Sequence, residues 1–212
     1  MILYGLSLSP FVRKVLIYAA EKGIALELKQ IGLGQPDPAF RAASPFGKMP
    51  GFEDGDFRIS DSTAIITYLE AKHPTPSLIP DTPEDKARAV WFEEFADTIL
   101  IGAGGKVFFN RVVAGLIGRE GDLAVADKAL AEEMPPIYDY LETVVPDAGG
   151  YLVGGRLTVA DIAVASPFAN MAHCGASPHA GRYPRLSAWA DAWMARPSVA
   201  PIVERERAFL RR

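Results

Sequence analysis

Three short segments of the sequence hold residues able to do chemistry together. Ser7-Leu8-Ser9-Pro10-Phe11 sets two hydroxyls ahead of a proline. Serine suits the N-cap of a helix and proline its first position, where the amide has no helical partner in any case. Such a tip carries unpaired amides and about half a positive charge, so a hydroxyl there can donate to a bound anion. Capping by itself also accounts for Ser9. Gly47-Lys48-Met49-Pro50 ends in a residue that cannot donate to a sheet ladder, which fits a strand start, an edge or a cis turn. A cis bond at Met49-Pro50 leaves the Met49 backbone facing outward, where an extended peptide could pair with it. A plain strand-start proline is the other option. Ser60-Asp61-Ser62 brings an acid and two hydroxyls to another helix start, suited to the ammonium and carboxylate of one amino-acid-like ligand, or to capping alone.

The elements around these segments place them together. Ile2-Leu3-Tyr4 is an apolar run stopped by Gly5, a buried strand. Phe11, Val12, Val15, Leu16, Tyr18 and Ala19 form the apolar stripe of a helix ended by Gly23. Leu26 to Lys29 alternates as a second strand, so a βαβ unit with parallel strands is expected. Residues 32–47 are punctuated by Gly and Pro, with one helical turn near Pro38–Ala43. Asp54-Gly55-Asp56 between apolar runs predicts a hairpin, and a helix from Ser60–Ser62 ends at His73-Pro74. In a βαβ-ββα order the loops after the first strand, before the third and after the fourth can converge on one edge of the sheet. A short charged peptide would find there an anion-binding helix tip, an open backbone and a clamp for its charged end.

The proline-rich stretch 74–83 reads as a stiff linker, and everything beyond it as helix: roughly 83–118, 122–145, 158–173, 185–196 and 198–209. The expected architecture is an α/β domain over residues 1–78, a tie at 79–83 and an all-helical domain over 84–212. The net charge of −4 argues against a nucleic-acid partner. The lone Cys174 excludes an internal disulfide or a cysteine zinc cluster, and three histidines without metal spacing predict no metal. No apolar run approaches the ~18 residues of a membrane span, and residues 1–8 lack the build of a signal peptide, so a cytoplasmic protein without a membrane partner is expected.

The segments SPFVRKVLIYAAEKGI (9–24), SPFGKMPGFED (44–54), ISDSTAIITYLE (59–70) and GGRLTVADIAVAS (154–166) resemble the cytosolic glutathione transferase superfamily, in the family's order and across nearly the whole chain. The likeness is to bacterial-like members with a serine-type site and does not reach a class. It implies a thioredoxin-like N-terminal domain that binds glutathione, an all-α C-terminal domain, and a homodimer. Carried over by position, Ser9 is the catalytic hydroxyl, with Ser7 its competitor. Pro50 is the cis-proline, Met49 pairs with the cysteinyl part of glutathione, and Lys48 approaches the glycyl carboxylate. Asp61 and Ser62 hold the γ-glutamyl end. Family members often carry Glu where Asp61 stands, which shortens the reach. Phe11, Phe108 and Arg111 are expected to line the pocket of an apolar electrophile. Phe108 and Phe109 could equally be core.

The chemistry implied is activation of a thiol. A free thiol with a pKa near 8.5 is only ~3% ionised at pH 7, and lowering that pKa by two units, worth ~2.7 kcal/mol, brings the thiolate to roughly three quarters. Family members with cysteine at position 9 tend toward disulfide exchange. The serine here, with Cys174 far along the chain, points instead to glutathione S-transfer. Two alternatives stay open: an isomerase or lyase that recycles glutathione, and a glutathione-binding module without catalysis.

Overall fold

The computed structural model describes residues 1–32 and 37–211 and divides into two units, Met1–Ser77 and Leu78–Arg212. Residues 33–36 of the Gly/Pro-punctuated stretch lie outside the described residues.

In the first unit the order is β1 (Ile2–Gly5), α1 (Pro10–Glu21), β2 (Glu27–Gln30), α2 (Pro38–Ala43), β3 (Gly51–Asp54), β4 (Phe57–Ser60) and α3 (Ser62–Lys72). The sheet order is β2-β1-β3-β4, with β1 and β2 parallel and the two other pairs antiparallel. The βαβ unit and the hairpin therefore form as expected. Gly55, at φ 60°, opens the two-residue turn between Asp54 and Phe57. Tyr4, Ile31, Phe40 and Ala43 bury one another where α2 covers the sheet. Gly51 is fixed by that contact, since a Cβ there would lie 3.1 Å from the Phe40 ring.

α1 is buried on more than its apolar stripe. Arg13 and Lys14 are enclosed along with Val12, Val15, Ile17 and Tyr18, and Lys14 Nζ lies 3.5 Å from Thr63 Oγ1 in α3. A second tie joins the same helices. Glu70 accepts from the Tyr18 hydroxyl and from Lys22 Nζ at 2.5 Å, and Lys22 also donates to the Pro76 carbonyl at 2.5 Å. Burial works to raise the Glu70 carboxyl, but the bonds from Lys22, Tyr18 and Ser77 outweigh it and hold it below the usual carboxylate range.

The second unit is helical. A continuous helical run covers α4 (Pro83–Glu94), a π-helical segment Phe95–Leu100, α5 (Ile101–Phe108), a second π segment Phe109–Val113 and α6 (Ala114–Leu116). Next come α7 (Leu123–Lys128), a π segment Ala129–Glu133, α8 (Met134–Val144), α9 (Val159–His173), α10 (Pro184–Met194) and α11 (Ala200–Leu210). Leu78 and Ile79 are anchored here, their carbonyls accepting from Val159 N and Arg156 at 2.9 Å each. The tie expected at 79–83 thus begins inside the helical unit.

The run Pro83–Leu116 holds an 18-residue window of mean hydropathy 1.4 with few charges, long and apolar enough to cross a membrane by length and composition. Its inward residues, among them Ala89, Phe92, Ala96, Leu100, Val107 and Phe108, instead fill the core of the helical unit. α9 enters that core behind a capping box. Asp161 accepts from Leu152 N at 2.7 Å and Thr158 N at 2.9 Å. Trp189, Trp193 and Tyr183 are buried packing residues, and His173 pairs with buried Glu206 at 2.8 Å.

Candidate active site

The strand directions gather three loops at one end of the sheet. β1 ends at Gly5; β3, antiparallel to it, begins at Gly51; β4, antiparallel to β3, ends at Ser60. Segments 6–9, 47–50 and 61–62 therefore leave or enter at the same end. Register tightens the group. Tyr4 pairs with Gly51 and Gly51 with Ser60, so Pro50 falls beside Gly5 on one side and Asp61 on the other. Accordingly, a Cβ at Gly5 would sit 3.5 Å from Met49 Cβ.

Ser9 is the N-cap of α1, with extended backbone (φ −72°, ψ 125°) and Pro10 behind it. Its carbonyl accepts from Arg13 N and its amide donates to Leu6 O, both at 2.9 Å. Its side chain makes no capping bond. Asp37, Thr82 and Asp122 do cap their helices through their side chains. The half-buried Ser9 hydroxyl therefore stands uncommitted among the described residues, at a tip whose first amides have no helical partner. Ser7, also half-buried, lies in the turn before it.

The Met49-Pro50 peptide is cis. The Lys48 carbonyl accepts from Ser44 Oγ at 2.7 Å, while neither the Met49 main chain nor the Lys48 ammonium has a partner among the described residues. Asp61 is the one non-glycine described residue at positive φ, 82° with ψ 130°. Its Oδ1 accepts from Thr63 N at 2.9 Å and Ala64 N at 3.0 Å, so capping is real. The second oxygen is not used for it. Ser62 is 1% exposed and its hydroxyl is buried without a partner. A backbone held in a sparsely populated region and an unmet buried hydroxyl each cost about 1–3 kcal/mol, and they occur here side by side.

Phe11 lies half-buried on α1 in the first unit. Phe108 is 7% exposed in the core of the helical unit. Arg111 donates to Asp127 Oδ1 at 2.8 Å and to the Cys174 carbonyl at 3.3 Å. Burial pushes the Cys174 thiol up, against the nearby Arg111, which suits a packing residue rather than a nucleophile. The glycines of α5 divide in role. Gly104 admits Met171 of α9, whose Cε would be 3.2 Å from a Cβ, whereas Gly102 meets nothing. Gly102 instead lines an open groove of about 680 Å³ with Phe95, Ile99, Lys106 and Tyr140. A π-helical segment, Phe95–Leu100, shapes one wall of it. No cluster of three metal-ligating side chains occurs among the described residues.

Comparison with known proteins shows the family of the chain. The chain matches the family described as "Glutathione S-transferase, N-terminal domain" over residues 3–77 and "Glutathione S-transferase, C-terminal domain" over 110–205. It is 32% identical over 211 residues to glutathione S-transferase 4 of Zea mays, covering 95% of this chain and 91% of that protein. A glutathione S-transferase structure from Rhodospirillum rubrum superposes with a TM-score of 0.85 at 25% identity, covering 95% and 90% of the two chains. A structure of glutathione S-transferase I bound with lactoylglutathione superposes at 0.83, also at 25% identity, covering 96% and 98%. The helix tip, the open backbone and the clamp at one end of a four-stranded sheet thus occur in a chain that belongs to the glutathione S-transferase family and functions as one of its transferase enzymes.

Proposed function

We propose that Ser9 stabilises the thiolate of bound glutathione for attack on an apolar electrophile. The uncommitted Ser9 hydroxyl at the α1 tip is the observation that carries this. The cysteinyl part lies along the open Met49 backbone, and the γ-glutamyl ammonium and carboxylate lie at Asp61 and Ser62. Ser9 donates to sulfur, and the unpaired amides of the first turn add their partial charge. A hydrogen bond to a charged group is worth about 1.5–3 kcal/mol, enough to lower a thiol pKa by about one to two units. No base is required, since the proton leaves the thiol for solvent. The sulfur lone pair then forms the bond to the electrophilic carbon, and a leaving group departs with its electrons or a conjugated double bond takes them up.

The enzyme works as a homodimer in this proposal. Phe46, 88% exposed between Pro45 and Gly47, is a large apolar side chain that association would cover. The test of function combines two measurements. Titrating the thiolate absorbance of bound glutathione should give a pKa well below 8.5 in the wild type and a higher one in Ser9→Ala. Mass spectrometry of the products should show a stable conjugate. Recovery of unchanged glutathione after the electrophile is consumed would instead assign the isomerase or lyase chemistry.

A further inference from the structure

The chain folds back on itself at the end of β1, and Gly5 is where it closes. The Gly5 carbonyl accepts from Ile31 N at 3.3 Å as the strand ends. A turn follows, with Ser9 N donating to Leu6 O at 2.9 Å, and the first turn of α1 then brings Val12 down onto the strand end. A Cβ at Gly5 would lie 2.5 Å from Val12 Cγ2 and 3.5 Å from Met49 Cβ. Gly5 also sits at φ 156°, where a side chain is strained. The two contacts are unequal. Apolar carbons rest about 3.5–4.0 Å apart, so a methyl at Gly5 would touch Met49 without moving it but would drive Val12 back by about 1 Å. Val12 is fully buried and β-branched, with little freedom to swing aside, so the push passes to α1.

We infer that Gly5 is a positioning residue for the transfer reaction: its missing side chain lets Val12 seat α1 against the strand end, which keeps the Ser9 hydroxyl within reach of a sulfur lying over Met49. The inference rests on the proposal that glutathione lies along Met49 and that Ser9 donates to its sulfur. Ser9 and Val12 are one helical turn apart, so a shift at Val12 is felt at the helix tip. The ligand is held through Met49, Asp61 and Ser62, the hydroxyl through α1, and the packing at Gly5 joins the two. A misplacement of about 1 Å at a reacting group can cost about 10²-fold in rate.

The experiment uses the whole protein with glutathione and with S-methylglutathione, which keeps the tripeptide and has no thiol to ionise. Gly5→Ala should raise the pKa of bound glutathione, read by thiolate absorbance, by about one unit and lower turnover by up to ~10²-fold. Calorimetry should find S-methylglutathione bound within about threefold of wild type, because Met49 stays in place. Adding Val12→Ala makes room for the new methyl and should return the pKa and most of the turnover, though not the stability lost to strain at Gly5. Val12→Ile crowds the contact from the helix side and leaves the Gly5 backbone alone. It should raise the same pKa by less, and it carries the test if Gly5→Ala does not fold. An unchanged pKa in these variants overturns the inference and leaves the Ser9 reading standing. So does a loss of S-methylglutathione binding in step with turnover that Val12→Ala fails to reverse. A wild type whose bound thiol titrates near about 8.5 overturns the Ser9 reading, and this inference with it.

Discussion

Gly51 pairs with Ser60 across the β3–β4 hairpin, so Pro50 and Asp61 face one another just beyond the last paired residues. A two-residue turn at Gly55-Asp56 thereby sets the spacing between an open strand edge and the Asp61-Ser62 helix start. Slipping the register by one residue would carry Asp61 away and turn every β4 side chain to the wrong face.

The cap that Asp61 makes and the ligand contact proposed for it can be separated. Asp61→Asn keeps an oxygen for Thr63 N and Ala64 N and tolerates positive φ, so it should change stability by no more than about 0.5 kcal/mol. It removes the charge, and the Michaelis constant for glutathione should rise about tenfold. Asp61→Ala should lose both, at a further cost of about 1 kcal/mol in stability. Steady-state kinetics with denaturant titration checks the pair. An Asn variant with wild-type affinity would reduce Asp61 to a cap.

Ser9 should behave in the opposite way. Its side chain caps nothing, so Ser9→Ala should leave stability nearly unchanged, while Thr82→Ala, which removes a real cap to Asp85 N, should cost about 1 kcal/mol. Turnover in Ser9→Ala should fall ~10²-fold or less, with the rising limb of the pH–rate profile moved to higher pH. A profile that stays in place shifts the role to Ser7 or to the helix amides alone.

The architecture was legible because each element carries its own local signal: Asp54-Gly55 for the hairpin, Ser9-Pro10 and Thr82-Pro83 for helix starts, Thr158 with Asp161 for the capping box. Convergence of the three loops followed from strand order alone. What stayed hidden depends on contacts between distant residues. Arg13 and Lys14 are enclosed, and burial of a charge is decided by partners the local pattern does not contain. The π-helical segments had no signature, since the extra residue per turn answers to packing against neighbouring helices. Arg111 was expected beside the electrophile, and its local sequence could not reveal its bonds to Asp127 and Cys174.

The Glu70 cluster should govern the acid limb of stability. Its carboxyl is held below its ordinary value in the folded chain, so its contribution is complete above about pH 4.5 and is lost as pH falls through the lowered value. Glu70→Gln leaves the buried Lys22 ammonium without its counter-charge and should cost about 3 kcal/mol at pH 7. It should also flatten the stability curve between pH 5 and 3. Urea titrations across that range test both. A variant as acid-sensitive as wild type would place the responsible carboxylates elsewhere.

Phe46 gives the sharpest test of assembly. A phenylalanine 88% exposed at the end of a closed turn has no role in its own fold, and burying it in a partner is worth about 2 kcal/mol for each of the two copies in a symmetric pair. Phe46→Ser should therefore leave the melting behaviour of the monomeric unit intact while raising the dimer dissociation constant by at least about 30-fold. Sedimentation velocity over a range of micromolar concentrations reads that change directly. Wild type sedimenting as a monomer throughout would overturn the homodimer. Equal dimerisation of the two proteins would keep the dimer but move its contact away from this turn.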